Sequence, residues 1–184
     1  MIDVRIRRAT VDDAVAIARV RVESWRTTYR GMIPQAYLDG MTVEASATLW
    51  DRSLSAGSQR SQVFVAEDAD GVLGFAAGVV LPEPKLGFDA ELAAIYLRPA
   101  YHRLGLGSKL VGVTASALAT QKATGMVVWV IAGNKAARDF YAALGAELLV
   151  EQLFQWDGMD LVEAGYGWRD LPALVAATRA VAMH

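Results

Sequence analysis

The chain has 184 residues, of which 54% are hydrophobic and 21% charged, with a formal net charge of −2. That length and balance suit one globular domain with a sizeable core and exclude a disordered chain. The near-neutral charge gives no bulk reason to expect nucleic acid, and the absence of cysteine excludes disulfides, thiolate metal sites and a cysteine nucleophile.

The segment MIDVRIRRATVDD carries charge where a secretory signal would be apolar. The longest apolar run, residues 72–81, is too short to span a bilayer. A soluble, cytoplasmic protein with no membrane partner is expected. The two histidines, His102 and His184, lie far apart and suggest no metal centre.

Residues 4–8 read as a first strand. Thr10 followed by Asp13 resembles a capping box opening a helix, along which Val15, Ala18, Val22, Trp25 and Tyr29 form one apolar stripe. Gly31 ends that helix, Pro34 opens the next segment, and residues 44–54 look like a second helix. Residues 62–67 and 72–81 flank Asp70-Gly71, a hairpin signal, and Pro82 and Pro84 should stop the second of these strands. Residues 91–97 form the next strand, closed by Pro99. Beyond Gly107, a helix should bury Leu106, Leu110, Val113 and Ala117.

Residues 126–131 are an unbroken apolar run, as in a strand covered on both faces. Asn134 reads as an N-cap, with Ala137, Phe140, Tyr141 and Leu144 on one helical face behind it, and Gly145 ends that helix. Residues 148–156 and 161–168 flank a second hairpin signal, Asp157-Gly158, and residues 171–183 add a terminal helix. The order is one strand, two helices, three strands, helix, strand, helix, two strands. That is a mixed α/β domain around a central sheet.

The most informative stretch is residues 91–107, ELAAIYLRPAYHRLGLG. A strand runs into a short loop with two glycines one residue apart, and the loop opens a helix. Several backbone N–H groups can converge there on one anion, backed by the positive end of a helix dipole. A P-loop would need Lys-Ser or Lys-Thr after the second glycine, but Ser108-Lys109 stand in reverse order. A dinucleotide fingerprint would need a third glycine where Leu110 stands.

His102-Arg103-Leu104-Gly105-Leu106-Gly107 instead resembles the Gln/Arg-x-x-Gly-x-Gly/Ala loop of the GNAT superfamily of acyl-CoA N-acyltransferases. Asn134-Lys135-Ala136-Ala137-Arg138-Asp139-Phe140-Tyr141, followed by Leu144-Gly145, resembles that family's second motif at the usual distance. The order of elements matches as well, over about residues 4–170, with 171–184 as a C-terminal helical extension of a single domain. The resemblance implies a mostly antiparallel, seven-stranded twisted sheet flanked by helices. It implies acetyl-CoA as co-substrate, with no metal.

By the same resemblance, the coenzyme would contact the loop residues His102, Arg103, Leu104, Gly105, Leu106, Gly107 and Ser108. It would also contact Asn134, Ala137 and Tyr141, and its pantetheine arm would pair with the backbone of Ile95, Tyr96 and Leu97. Glycines at 105 and 107 let a pyrophosphate approach the backbone closely. His102 stands where the family usually has Gln or Arg.

Moving an acetyl group from a thioester to an amine poses two proton problems. A lysine-like amine has a reference pKa near 10.4, so at pH 7 only about one molecule in a few thousand is neutral, a handicap of roughly 4–5 kcal/mol. Glu91 is the candidate base, placed on the central strand with Ala93, Ile95 and Leu97 expected on its side at period two. Tyr141 is the candidate acid, which the resemblance puts near the coenzyme sulfur. At reference values a phenol of about 10 is a weaker acid than a thiol of about 8.5, so hydrogen bonding to the developing thiolate is its natural role.

The acceptor, a small-molecule or peptide amine, would meet aromatic residues: Trp25, Tyr29, Tyr37, Trp50, Phe154 and Trp156 are candidates. Arg26 and Arg30 would suit an acidic acceptor. The final apolar helix offers a surface for a homodimer. Two other readings compete with an enzyme: a module that binds acetyl-CoA without turnover, and another kind of nucleotide-binding protein.

Overall fold

The computed structural model describes residues 3–181. His184 and the end of the expected terminal helix lie outside the described residues. Seven strands are β1 (Arg5–Arg8), β2 (Ser61–Asp68), β3 (Gly71–Lys85), β4 (Phe88–Leu97), β5 (Met126–Ile131), β6 (Glu147–Trp156) and β7 (Met159–Trp168). Their order in the sheet is β1-β2-β3-β4-β5-β7-β6. Every neighbouring pair is antiparallel except β4 and β5, which are parallel. The helices are α1 (Ala14–Thr28), α2 (Gln35–Gly40), α3 (Val43–Ser55), α4 (Leu106–Thr120), α5 (Lys135–Ala143) and α6 (Leu171–Val181). The seven-stranded, mostly antiparallel sheet and the succession of elements along the chain are those the resemblance implied; α2, capped by Pro34, is an additional short helix. No helix among the described residues is long and apolar enough to cross a membrane.

Local chemistry explains the boundaries. The Asp13 carboxylate accepts the Thr10 backbone N–H at 2.7 Å and is held by Arg7, whose guanidinium also pairs with Glu67 of β2. The first turn there is a 3₁₀ turn, and α1 begins after it. Because α1 packs against both the sheet and α3, it buries a wide band including Ile17, Val20 and Trp25. Val15, expected on the stripe, is exposed. Asp157 and Gly158 both have positive φ (50° and 75°), the hairpin geometry their sequence suggests.

Pro82 and Pro84 do not end β3. The strand continues to Lys85, and the prolines occupy a gap in the β3–β4 ladder between the Val80–Ala90 and Lys85–Phe88 pairs, where a missing N–H breaks no ladder bond. In α4, Val113 is only half-buried, whereas Val111, Thr114, Ala115 and Leu118 join the core. The helix is covered on two sides, by the sheet and by α6. A Cβ on Gly112 would lie 2.2 Å from Thr178 Oγ1, so only glycine allows α6 so close. Leu171 and Leu174 are buried in that contact. The apolar face expected to serve a homodimer is therefore covered within the same chain.

One irregularity shapes the centre of the sheet. Ala77 pairs with Ala94 but Gly78 pairs with Leu92, leaving Ala93 as an extra residue in β4. That is a β-bulge, which bends its strand. The parallel pairing of β4 with β5 covers only Ala90–Met126, Glu91–Val127 and Leu92–Val128. Beyond the bulge β4 stays with β3 and β5 stays with β7, so the sheet splits. The bulge also shifts parity. Glu91, opposite Val79, shares a face with Ala94 and Tyr96, not with Ile95 and Leu97 as strict alternation predicts. That face carries Phe75 and Ala77 and packs on α1 and α3.

Candidate functional site

The glycine loop lies between the split end of β4 and the start of α4. Gly105 caps α4 with φ 75°, a left-handed conformation that glycine adopts without cost, and Arg103 is also left-handed at φ 64°. No side chain caps this end of α4, so its first N–H groups, which have no acceptor within the helix, remain unpaired donors. The second glycine has a different reason: a Cβ on Gly107 would lie 3.2 Å from the Phe140 ring, so it lets α4 approach α5. Leu104 is exposed, and Leu106 and Ser108 are buried. The His102 ring turns back, with Nε2 3.0 Å from the Leu97 carbonyl oxygen, which also accepts from Ser24 Oγ at 3.2 Å. The irregular residue of the loop thus fastens it to the end of β4.

At the split, residues from four elements converge. Tyr141 on α5 is buried against Phe140, Tyr166 and Trp168. Burial pushes its phenol up, and the nearby Tyr96 hydroxyl adds to this. Tyr29, the residue that ends α1, is buried, which raises its phenol too; Tyr96, Tyr141 and Asn134 are its polar neighbours. Burial likewise raises Tyr96. Asn134 is buried and caps α5, its Oδ1 accepting the Ala137 N–H at 3.2 Å. The backbones of Ile95, Tyr96 and Leu97 pair with β3 on one side only.

On the α1–α3 side the split continues as a groove of about 470 Å³. Trp25, Tyr29, Trp50, Phe154 and Trp156, five of the six aromatic candidates, line it. Tyr37 does not; it stands behind Trp156, with ring centroids 5.1 Å apart. The Trp25 indole N–H is buried near the Tyr96 hydroxyl without reaching hydrogen-bond geometry. A second groove, of about 420 Å³, shares Ser53 and Ser61 with the first but is lined by no tyrosine or carboxylate.

Glu91 is on the groove's face of the sheet but not among its lining residues. It is ion-paired to Lys85 at 3.0 Å, with its side chain 18% exposed. Tyr141 reaches the split from the α4–α5 side and Glu91 from the α1–α3 side. Arg26 does not face the groove: it donates to the Leu38 and Met41 carbonyls at the end of α2. Arg30 is exposed and outside the lining.

Arg21, Trp129 and Glu163 are among the lining residues that the sequence did not single out. Trp129 sits in an apolar run that reads as plain core, and only the parity of β5 against β7 shows that it faces the groove. Among the described residues no cluster of three or more His, Asp or Glu is arranged to hold a metal.

A sheet split between two parallel strands, beside a helix start with free N–H groups, defines a fold that other proteins share. Residues 21–146 match the model of the acetyltransferase (GNAT) family, and the chain belongs to that family. It is 39% identical over 173 residues to an uncharacterized N-acetyltransferase, YuaI, of Bacillus subtilis (strain 168), covering 93% of this chain and 96% of that protein. A tyramine N-feruloyltransferase (4/11) of Nicotiana tabacum is 33% identical over 110 residues, 60% of this chain and 46% of that protein. The fold is similar to that of the PaiA N-acetyltransferase of Thermoplasma acidophilum in complex with coenzyme A. There the TM-score is 0.68 at 20% identity, over 88% of this chain and 98% of that one.

Proposed function

We propose that the protein is an acetyl-CoA-dependent N-acetyltransferase that moves the acetyl group to a primary amine by direct attack, with both substrates bound together. The observation that carries this reading is the split beyond the Ala93 bulge. It leaves one backbone edge of β4 without a strand partner, beside a helix start with unpaired N–H donors. The free edge suits an extended amide chain added like a strand, and the N–H donors suit a pyrophosphate. Coenzyme A carries both. The family's relatives named as N-acetyltransferases support the same chemistry.

Bound acetyl-CoA would supply an activated thioester carbonyl. The Gly105 loop and the first turn of α4 bind the anionic end, and Ile95 and the Leu97 N–H, whose backbone groups point away from β3, orient the arm. Asn134 and Ala137 shape the wall next to Tyr141. Glu91, ion-paired to Lys85, takes the ammonium proton, directly or through water. Tyr141, its phenol raised by burial, stays protonated and donates a hydrogen bond to the departing sulfur rather than giving up its proton outright.

Acetyl-CoA consumption measured over amino acids, polyamines, aromatic amines and peptide N-termini tests the activity. Tyr141→Phe should lower kcat on the order of a hundredfold, and Glu91→Gln on the order of ten- to a hundredfold with a displaced pH profile. Both should keep coenzyme affinity in calorimetry. A protein that binds coenzyme A but acetylates no amine would be a sensor, and one stabilised by NAD or ATP but not coenzyme A would refute the reading altogether.

A further inference from the structure

The groove beside the split bears on which amine the protein accepts. We infer that the acceptor is a singly charged amine on a short stem from a planar aromatic body, and that Glu163 is the side chain that selects its ammonium group; both points rest on the N-acetyltransferase reading.

The groove's lining is unusual in kind rather than size. Seven aromatic residues, Trp25, Tyr29, Trp50, Tyr96, Trp129, Phe154 and Trp156, line about 470 Å³. Their arrangement is fixed by packing. A Cβ on Gly165 would lie 2.9 Å from the Trp129 ring, so the indole lies against bare backbone of β7 and forms the floor. Trp156 is held between Trp25 at 5.2 Å and Tyr37 at 5.1 Å. Rings locked in this way favour a flat apolar partner through area and edge-to-face contact.

The same rings accept a cation: the Arg21 guanidinium already lies 4.7 Å from the Trp25 ring centroid. The same lining carries one carboxylate. Glu163 lies on β7, beside Ile131 of β5 and Gln152 of β6. Its Oε1 accepts from Gln152 Nε2 at 2.9 Å, and no cationic side chain among the described residues is within ion-pair distance of it.

Glu91 behaves differently. It is ion-paired to Lys85 and lies off the lining, whereas Glu163 has no cation among the described residues within ion-pair distance and lies on it. A half-buried carboxylate on the same groove lining as these aromatic residues favours one ammonium group. A polyamine would need several such carboxylates, whereas the lining holds only Glu163 against Arg21. Glu163 acts here as a positioning and specificity residue for the ammonium form, which predominates at neutral pH. Removal of the proton stays with the base.

The test compares acetyl-CoA turnover with 2-phenylethylamine, hexylamine, spermidine and a lysine-containing peptide, in the wild type and in Glu163→Gln. The expected kcat/KM for 2-phenylethylamine exceeds that for each other amine at least about tenfold. Glu163→Gln should raise the KM for 2-phenylethylamine by about tenfold, leaving kcat and the KM for acetyl-CoA nearly unchanged. Equal or better turnover of hexylamine, spermidine or the peptide overturns the inference and leaves the N-acetyltransferase reading intact. An unchanged amine KM in the variant overturns the role of Glu163. If no amine is turned over, titrating 2-phenylethylamine into the coenzyme A complex decides. Saturable quenching of tryptophan fluorescence that weakens in Glu163→Gln sustains the inference, and its absence refutes it. Failure to bind coenzyme A at all refutes the N-acetyltransferase reading, and this one with it.

Discussion

The two ends of the β4–β5 pair are built for opposite purposes. At the closed end, Ala90, Glu91 and Leu92 pair with β5, and the Asp89 carboxylate accepts from Thr124 N (3.0 Å), Thr124 Oγ1 (2.9 Å) and Gly125 N (3.1 Å). Every polar group in that clamp is matched, and Leu92 and Met126 beneath it are almost fully buried. At the open end, the same two strands offer unmatched backbone and an exposed Ala93, beside the buried phenols of Tyr29, Tyr96 and Tyr141. Satisfied polar groups over a dense core stabilise; unsatisfied ones beside a cleft bind. The change takes place over a single extra residue.

The division makes stability and function separable, and the largest expected effect is on stability. Leu92→Ala leaves a cavity among Leu110, Val111 and Met126 and should cost about 2–5 kcal/mol. Urea unfolding would show this as a lower midpoint at unchanged slope. A loss under about 1 kcal/mol would mean that the closed end is not the anchor of the sheet.

Asp89→Asn should have a smaller effect, about 1–2 kcal/mol at neutral pH given the partial exposure of the site, and it adds a pH signature. Burial works against the Asp89 carboxylate, but hydrogen bonds from Gly125 and Thr124 outweigh it and hold the group below the usual carboxylate range. A folded-state value below the unfolded value near 3.9 means stability that is present above that pH and lost as pH falls through it. Asp13 and Glu67, lowered chiefly by Arg7, act in the same acid window. The variant should therefore start less stable at pH 7 yet lose less than the wild type between about pH 5 and 3. Parallel acid limbs in thermal melts would show that Asp89 contributes nothing to the clamp's acid sensitivity.

The repeating elements are more legible in sequence than the split itself, for a physical reason. Regular structure repeats a local signal: the apolar run of β5, the Asp157-Gly158 turn and the Asn134 cap each state their geometry within a few residues. The bulge does not. In Leu92-Ala93-Ala94 two alanines fit either face, so nothing marks where alternation slips, and strict alternation gives Glu91 the wrong face-mates. Pro82 and Pro84 mislead because their effect depends on whether β4 needs a donor at that point, which is a property of the partner strand. Glu163 and Trp129 escape a sequence reading because lining a groove is a relation among β5, β6 and β7 rather than a property of any one of them. The loop itself is legible, since its glycines are spaced for a backbone geometry that few residues can adopt.

That geometry supports the smallest and sharpest comparison. A Cβ on Gly105 would meet nothing within 4 Å, so Gly105→Ala adds no clash and its only cost is the left-handed φ of 75°. That cost is about 1 kcal/mol for alanine and less for asparagine, whose side chain tolerates the region. Gly105→Asn should thus be more stable than Gly105→Ala, and both should bind coenzyme A more weakly than the wild type because a side chain now stands beside the unpaired N–H groups. Gly107 obeys the other rule: its φ is ordinary and its neighbour is the Phe140 ring, so Gly107→Asn should cost more than Gly107→Ala. The opposite rank order at two glycines one residue apart, read from thermal melts, would separate a conformational requirement from a packing one. The same order at both positions would show that the open end is held by packing alone, and that its likeness to the closed end is greater than the unmatched backbone suggests.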